Sequence, residues 1–98
     1  MIGMVLTLRI KPGKQQDFEA IFAARQVGVR ANEPGNLAYE LYRVHDDDEK
    51  YIIVERYESD EAFRYHLSLS TSHEAMLSCF AAPPEAVHLR PVGQGVKT

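Results

Sequence analysis

Residues 37–45 and 51–57, LAYELYRVH and YIIVERY, carry bulky side chains at both alternating sets of positions. No other stretch constrains the fold as much, because a strand sends successive side chains to opposite faces of its sheet. Both segments are rich in aromatic and β-branched residues, and HDDDEK between them is a polar loop of hairpin size, so they read as an antiparallel pair. If Tyr39, Leu41, Tyr51 and Ile53 turn inward, then Tyr42, Val44, Ile52 and Val54 are left on the other face, and the reverse holds for the other register. One layer of helices cannot cover both sets.

The rest of the chain supplies one layer. Met4, Leu6, Leu8 and Ile10 alternate with Val5, Thr7 and Arg9, the period of a strand, and KPGK then turns the chain. From Gln15 to Arg30, the residues Phe18, Ile21, Phe22 and Val29 form the stripe of an amphipathic helix, with Asp17 and Glu19 near its positive end. Pro34 and Gly35 in NEPGN end it. SDEAF begins a second, short helix with Ser59 as a capping residue, running to about Leu67. Ser70, Thr71 and Ser72 offer caps for a third, on which His73, Met76, Leu77 and Phe80 share a face. PPE at 83–85 stops that helix, and Ala86 to Val92 alternates as a last strand that Pro91 places near an edge or end. The order βαββααβ predicts an α+β fold, a ferredoxin-like split βαβ with an antiparallel sheet, over residues 1–92, followed by a loose tail at 93–98. The cheapest cover for the remaining sheet face is the same face of a second copy, so a homodimer is expected.

Composition narrows the function. A chain of 98 residues, 45% hydrophobic and 26% charged, suits one globular domain, and its small core would gain from a partner subunit. The net charge of −3 and the scattered eleven Lys and Arg argue against nucleic acid as a partner. Cys79 stands alone, which removes an internal disulfide framework and a multi-cysteine zinc site and fits a reducing compartment. MIGMVLTLRI is apolar but lacks a basic leader and is interrupted by Arg9, and no apolar run approaches the roughly 18 residues a bilayer requires. The expectation is a cytoplasmic chain with no membrane partner.

KPGK after the first strand, EPGNLAYELYR, and VERYESDEAFRYHLSLSTSHEAM together resemble the antibiotic biosynthesis monooxygenase (ABM) domain family, over Met1 to about Pro91. The resemblance implies a dimeric α+β barrel that holds a small aromatic or quinol-like molecule between sheet and helices. It also implies oxidation of that molecule by molecular oxygen, often with no metal or flavin, so no cofactor is expected. A branch of similar proteins that degrades haem relies on an Asn in the first strand together with a Trp and a His. This chain has no Trp and offers Leu6 and Thr7 in that strand, so haem degradation is not expected.

His66 matches the histidine that many members carry after the strand end, here ERYESDEAFRYH, and the resemblance implies a catalytic role. Its neighbours Phe63 and Leu67 set its helix face beside the buried one, so it should face the cavity between sheet and helices, where an imidazole can take a proton from a phenol or enol. His73, beside Ser72 and Glu74, is either a second catalytic group or a solvated cap. Asn32 either ends the first helix or donates a hydrogen bond to a substrate oxygen as charge develops. Glu55, inside a strand, either pairs with a cation such as Arg43 or lines a cavity, and pairing is favoured. Tyr39, Tyr57, Met76 and Phe80 complete the candidate substrate contacts, although filling core is the commoner fate of such residues. No metal is expected. His66 and His73 stand two helical turns apart, and His45 with Asp46, Asp47 and Asp48 reads as a solvated hairpin tip. The leading reading is a cofactor-independent monooxygenase on a small electron-rich aromatic. A proton-transfer isomerase or epimerase of a small carbonyl compound, and a ligand-binding module without turnover, stay open beside it.

Overall fold

A computed structural model describes residues 1–69 and 73–93. The elements are β1 (Ile2–Arg9), α1 (Gln15–Asn32), β2 (Asn36–Arg43), β3 (Lys50–Tyr57), α2 (Asp60–Ser68), α3 (His73–Leu77) and β4 (Glu85–Leu89). They form one antiparallel sheet in the order β2-β3-β1-β4 with the helices on one face, the ferredoxin-like α+β arrangement that the sequence pattern predicts. The boundaries differ by one to three residues: α1 continues to Asn32, where the sequence predicts an end at Arg30, and β4 closes at Leu89, just ahead of Pro91. The expected Ser70, Thr71 and Ser72 caps and most of the tail lie outside the described residues.

The register settles which side chains turn inward. Tyr39 of β2 stands opposite Glu55 of β3, and Leu41 opposite Ile53. Tyr51, Ile53, Glu55 and Tyr57 therefore lie under the helices and are buried, while Ile52, Val54 and Arg56 occupy the other face. The core joins Leu8, Ile10, Phe18, Phe22, Val29, Tyr39, Tyr51, Ile53, Met76 and Cys79. Phe18 and Phe22 are the anchors of α1, each contributing roughly 1.5–3 kcal/mol by leaving water. Phe18 meets Tyr51 edge-on at 5.2 Å and Phe22 stacks on Tyr39 at 4.7 Å. On the opposite sheet face, Tyr42, Val87 and Leu89 are about half exposed, and no helix covers them among the described residues.

The third helix corrects one expectation. Met76 is buried and Phe80 packs against the core, but His73 and Leu77 are exposed, because α3 ends at Leu77 and the chain then turns so that Phe80 bridges to Ile10. Four residues that share a face on a continuous helix do not share one here.

The turn from α1 to β2 is packed against the start of α2. The Glu33 amide continues the helix by donating to the Val29 carbonyl, and the Gly35 carbonyl accepts from the Glu58 amide at 2.9 Å. Ser59 Oγ caps α2 by accepting from the Ala62 amide at 3.1 Å. A methyl on Gly35 would stand 2.5 Å from the Ala62 Cβ, so only glycine allows this approach. Gly35→Ala should destabilise the fold by about 1–3 kcal/mol, the usual effect of overpacking, read as a fall in the urea midpoint. An unchanged midpoint would mean that the two segments are not held this closely.

Candidate active site

The close packing of turn and helix brings polar groups together beneath α2. His66, the buried residue of α2, is only 5% exposed, and among the described residues the buried carboxyl side chains are Glu33 and Glu55. His66 Nδ1 lies 2.7 Å from Glu33 Oε1 and Nε2 lies 3.7 Å from Glu55 Oε1. With Glu33 ionised, Nδ1 carries the hydrogen of that contact, since a carboxylate only accepts. Glu55 Oε1 also accepts from the Tyr57 hydroxyl at 2.5 Å. Arg25 comes from α1: its Nε donates to the Tyr39 hydroxyl at 2.9 Å, and its Nη2 stands 3.5 Å from His66 Nε2. The Tyr39 and Tyr57 rings flank the imidazole at 5.5 and 5.4 Å.

Burial dominates the electrostatics. It pushes the Tyr39 phenol up to about 12, against the pull of the Arg25 charge. The Tyr57 phenol rises further, through burial and then through the Glu55 charge and hydrogen bond. Burial also raises Glu55 above the ordinary carboxylate range, and the Tyr57 hydrogen bond, His66 and Arg25 offset part of that rise.

A groove of about 620 Å³ runs between α1 and the α2–α3 side. Arg25, Asn32 and Glu33 bring polar groups to it, and Gly28, Val29 and Tyr65 are among its other walls. Arg25 and Glu33 belong to both the groove and the buried cluster. A molecule in the groove would thus meet a cation and a carboxylate, with the imidazole one hydrogen bond behind.

Residues 1–77 match the antibiotic biosynthesis monooxygenase family, a span that contains every member of this cluster. The chain belongs to the ABM family. It is 34% identical to a protein of Caulobacter crescentus assigned as an antibiotic biosynthesis monooxygenase, whose structure superposes with a TM-score of 0.89 over 94% of this chain and 90% of that one. A mycobilin-producing heme oxygenase of Mycobacterium tuberculosis is 37% identical over 57 residues, 58% of this chain and 53% of that protein. The chain spans about half the length of the curated relatives it matches. SnoaB, a cofactor-independent oxygenase from Streptomyces nogalater, shares the fold with a TM-score of 0.80 at 21% identity, over 98% of this chain and 97% of that one.

Within this ABM domain the candidates from the sequence separate. His66, Tyr39, Glu55 and Tyr57 meet in the cluster. Asn32 lines the groove from the end of α1. His73 is exposed at the start of α3 and does not line the groove, and Met76 and Phe80 fill core near the far end of β1. Glu55 does not pair with Arg43, because the register sets Arg43 opposite Tyr51 and Tyr39 opposite Glu55. His66 is not itself a groove wall, so its expected place facing the cavity is taken by Arg25 and Glu33. Both are missing from the sequence reading. Arg25 had a signal, a cation at the 18, 22, 25, 29 spacing of the apolar stripe. Glu33 lies past the last helical turn, where no periodicity marks its direction.

Among the described residues no group of three His, Cys, Asp or Glu could hold a metal ion, and His45 is exposed at the hairpin tip, 3.7 Å from Asp46. No described helix is long and apolar enough to cross a membrane.

The raised Glu55 gives a pH prediction. Between the ordinary glutamate value and the raised one, the folded protein binds more protons than the unfolded chain, so stability falls as pH rises through that window. In Glu55→Gln this component is absent. Urea denaturation of both proteins from about pH 4 to 8 should show the wild type losing stability relative to the variant as pH rises. Parallel profiles would show that Glu55 is not held above its usual range.

Proposed function

We propose that this ABM domain is a cofactor-independent monooxygenase acting on a small electron-rich aromatic, such as an anthrone or hydroquinone. The observation that carries the reading is the Glu33–His66 contact at the floor of a groove that also presents Arg25. The Glu33 and His66 pair takes a proton from the bound phenol or enol, with Glu33 touching the substrate and His66 sharing the charge. Arg25 stabilises the resulting oxyanion, and the apolar walls limit water. For an anthrone the electrons balance without a cofactor. The anion gives one electron to oxygen, the radical pair joins as a peroxide, and loss of water leaves a carbonyl. The ring methylene and one molecule of dioxygen thereby become a ring carbonyl and one molecule of water.

The protein acts as a homodimer in this reading. The half-exposed Tyr42, Val87 and Leu89, with Ile52 and Val54 between them, give an apolar sheet face suited to isologous contact. Light scattering at micromolar concentration should give twice the 11.1 kDa of the chain, and an 11.1 kDa particle would remove the dimer from the reading. The reducing interior of the cell suits the single buried thiol, Cys79.

The second reading is haem oxidation, favoured by the 37% identity over 57 residues to the heme oxygenase. Against it, the only imidazole in the cluster is bonded to Glu33 and lies close to Glu55, and the chain has no Trp.

Oxygen uptake with a panel of anthrones and quinols tests the first reading. Glu33→Gln, which removes the group that touches the substrate, should lower turnover by roughly 10² to 10⁴ fold, the range for loss of a general base, and His66→Ala, which removes the imidazole that shares the charge, should lower it as well. Because that change strands two buried carboxylates, His66→Gln serves as a second variant that can still bond Glu33. Its turnover should fall similarly while more of the stability is kept. Wild-type turnover in a folded His66→Gln protein would remove His66 from the mechanism. Proton exchange without oxygen uptake would point to the isomerase, and a stoichiometric haemin complex to the second reading.

A further inference from the structure

Gly28 stands inside the 18-residue α1, where glycine is disfavoured against alanine because it has more backbone freedom to lose. Three uses of a glycine are absent here. Its φ is not positive, since the positive-φ glycines are Gly13 and Gly93. Among the described residues a Cβ built on it meets nothing within 4 Å, whereas the same addition at Gly35 meets a 2.5 Å contact. It is not in a terminal turn, since α1 runs on to Asn32. The fold therefore tolerates a side chain at 28. What the missing side chain leaves open is the groove, which Gly28 lines between Arg25 and Asn32, with Tyr65 lining it from α2.

We propose that Gly28 sets the width of the groove and selects flat, fused-ring substrates. The inference rests on the aromatic reading of the site. The ligand's ring lies over the bare backbone at Gly28 with the Tyr65 ring bounding it from α2, and its acidic oxygen lies toward Arg25 and Glu33. A side chain at 28 would occupy the space of the ring while leaving the Glu33, His66 and Arg25 contacts in place. Gly28 is thus a specificity residue that touches the body of the substrate and takes no part in proton transfer.

The test uses the full chain as wild type, Gly28→Ala and Gly28→Leu, with phenol, 2-naphthol and 2-anthrol as probes of one, two and three fused rings. Gly28→Ala should raise the melting temperature by about 2–8 °C, the effect of replacing a helix-interior glycine in a domain of this size. Gly28→Leu should bind 2-naphthol and 2-anthrol at least about tenfold more weakly by NMR titration, with phenol affected far less. A lower melting temperature for Gly28→Ala would overturn the inference without any ligand, because the fold would then need the glycine. Wild-type protein that binds 2-naphthol while Gly28→Leu binds it equally would also overturn it and leave the aromatic reading standing. Wild-type protein that binds none of the three would overturn the aromatic reading and the role of Gly28 with it.

Discussion

Glu33, Glu55 and His66 can be buried together only because each supplies part of what the others lose on leaving water. A lone ionised carboxylate in an apolar interior is too costly to persist, and removing one partner from a buried pair costs about 3–5 kcal/mol. Here the imidazole lies between two carboxylates, Tyr57 donates to one of them, and Arg25 adds a positive charge at the edge. The cluster joins the end of α1, the middle of β3 and the inner face of α2. Those three elements must therefore hold one mutual arrangement or leave a buried charge unmatched.

That requirement explains features that packing alone does not. The apolar stripe of α1 would bury well with leucine at position 25, yet Arg25 sits on it, reaching Tyr39 on β2 and His66 on α2. The turn after α1 uses Gly35 to approach α2 more closely than any other residue allows, and this sets Glu33 within hydrogen-bond distance of His66. Hydrophobic burial supplies the larger share of stability, and the core of Phe18, Phe22, Tyr51 and Ile53 runs into the polar cluster through Tyr39, on which Phe22 stacks. The apolar core thus grades into a polar end that opens to the groove through Arg25 and Glu33.

Element order and type were legible because each rests on a local signal: the alternation in β1, the stripe of α1, the polar hairpin between β2 and β3, and Pro83 and Pro84 closing the helical region. Tyr39 and Tyr57 could be placed beside a pocket but not joined to His66, because their partners come from strands whose register the sequence leaves open. The pairing of Glu55 with Arg43 failed for that reason. It assumed a neighbour along β2 four residues from the one the hairpin sets opposite. The sequence leaves His73 open between a second catalytic group and a solvated cap, and what places it in solvent is the direction of a five-residue helix that depends on the turn before Phe80.

In β3 hydrophobicity and charge favour the same register. Tyr51, Ile53 and Tyr57 on one face outweigh Ile52 and Val54 on the other, so a slip of one residue would expose the larger apolar set. It would also exchange Glu55 for Arg56 under the helices. Arg56 would then face Arg25 and His66, while Glu33 would hold the only carboxylate near them. Repulsion between buried cations and a surplus of positive charge oppose that pairing, whereas Glu55 in the observed one stands between Tyr57 and His66. On this argument the polar cluster and the larger apolar set act together to fix the register of the strand, and with it which apolar face is left without a helix over it.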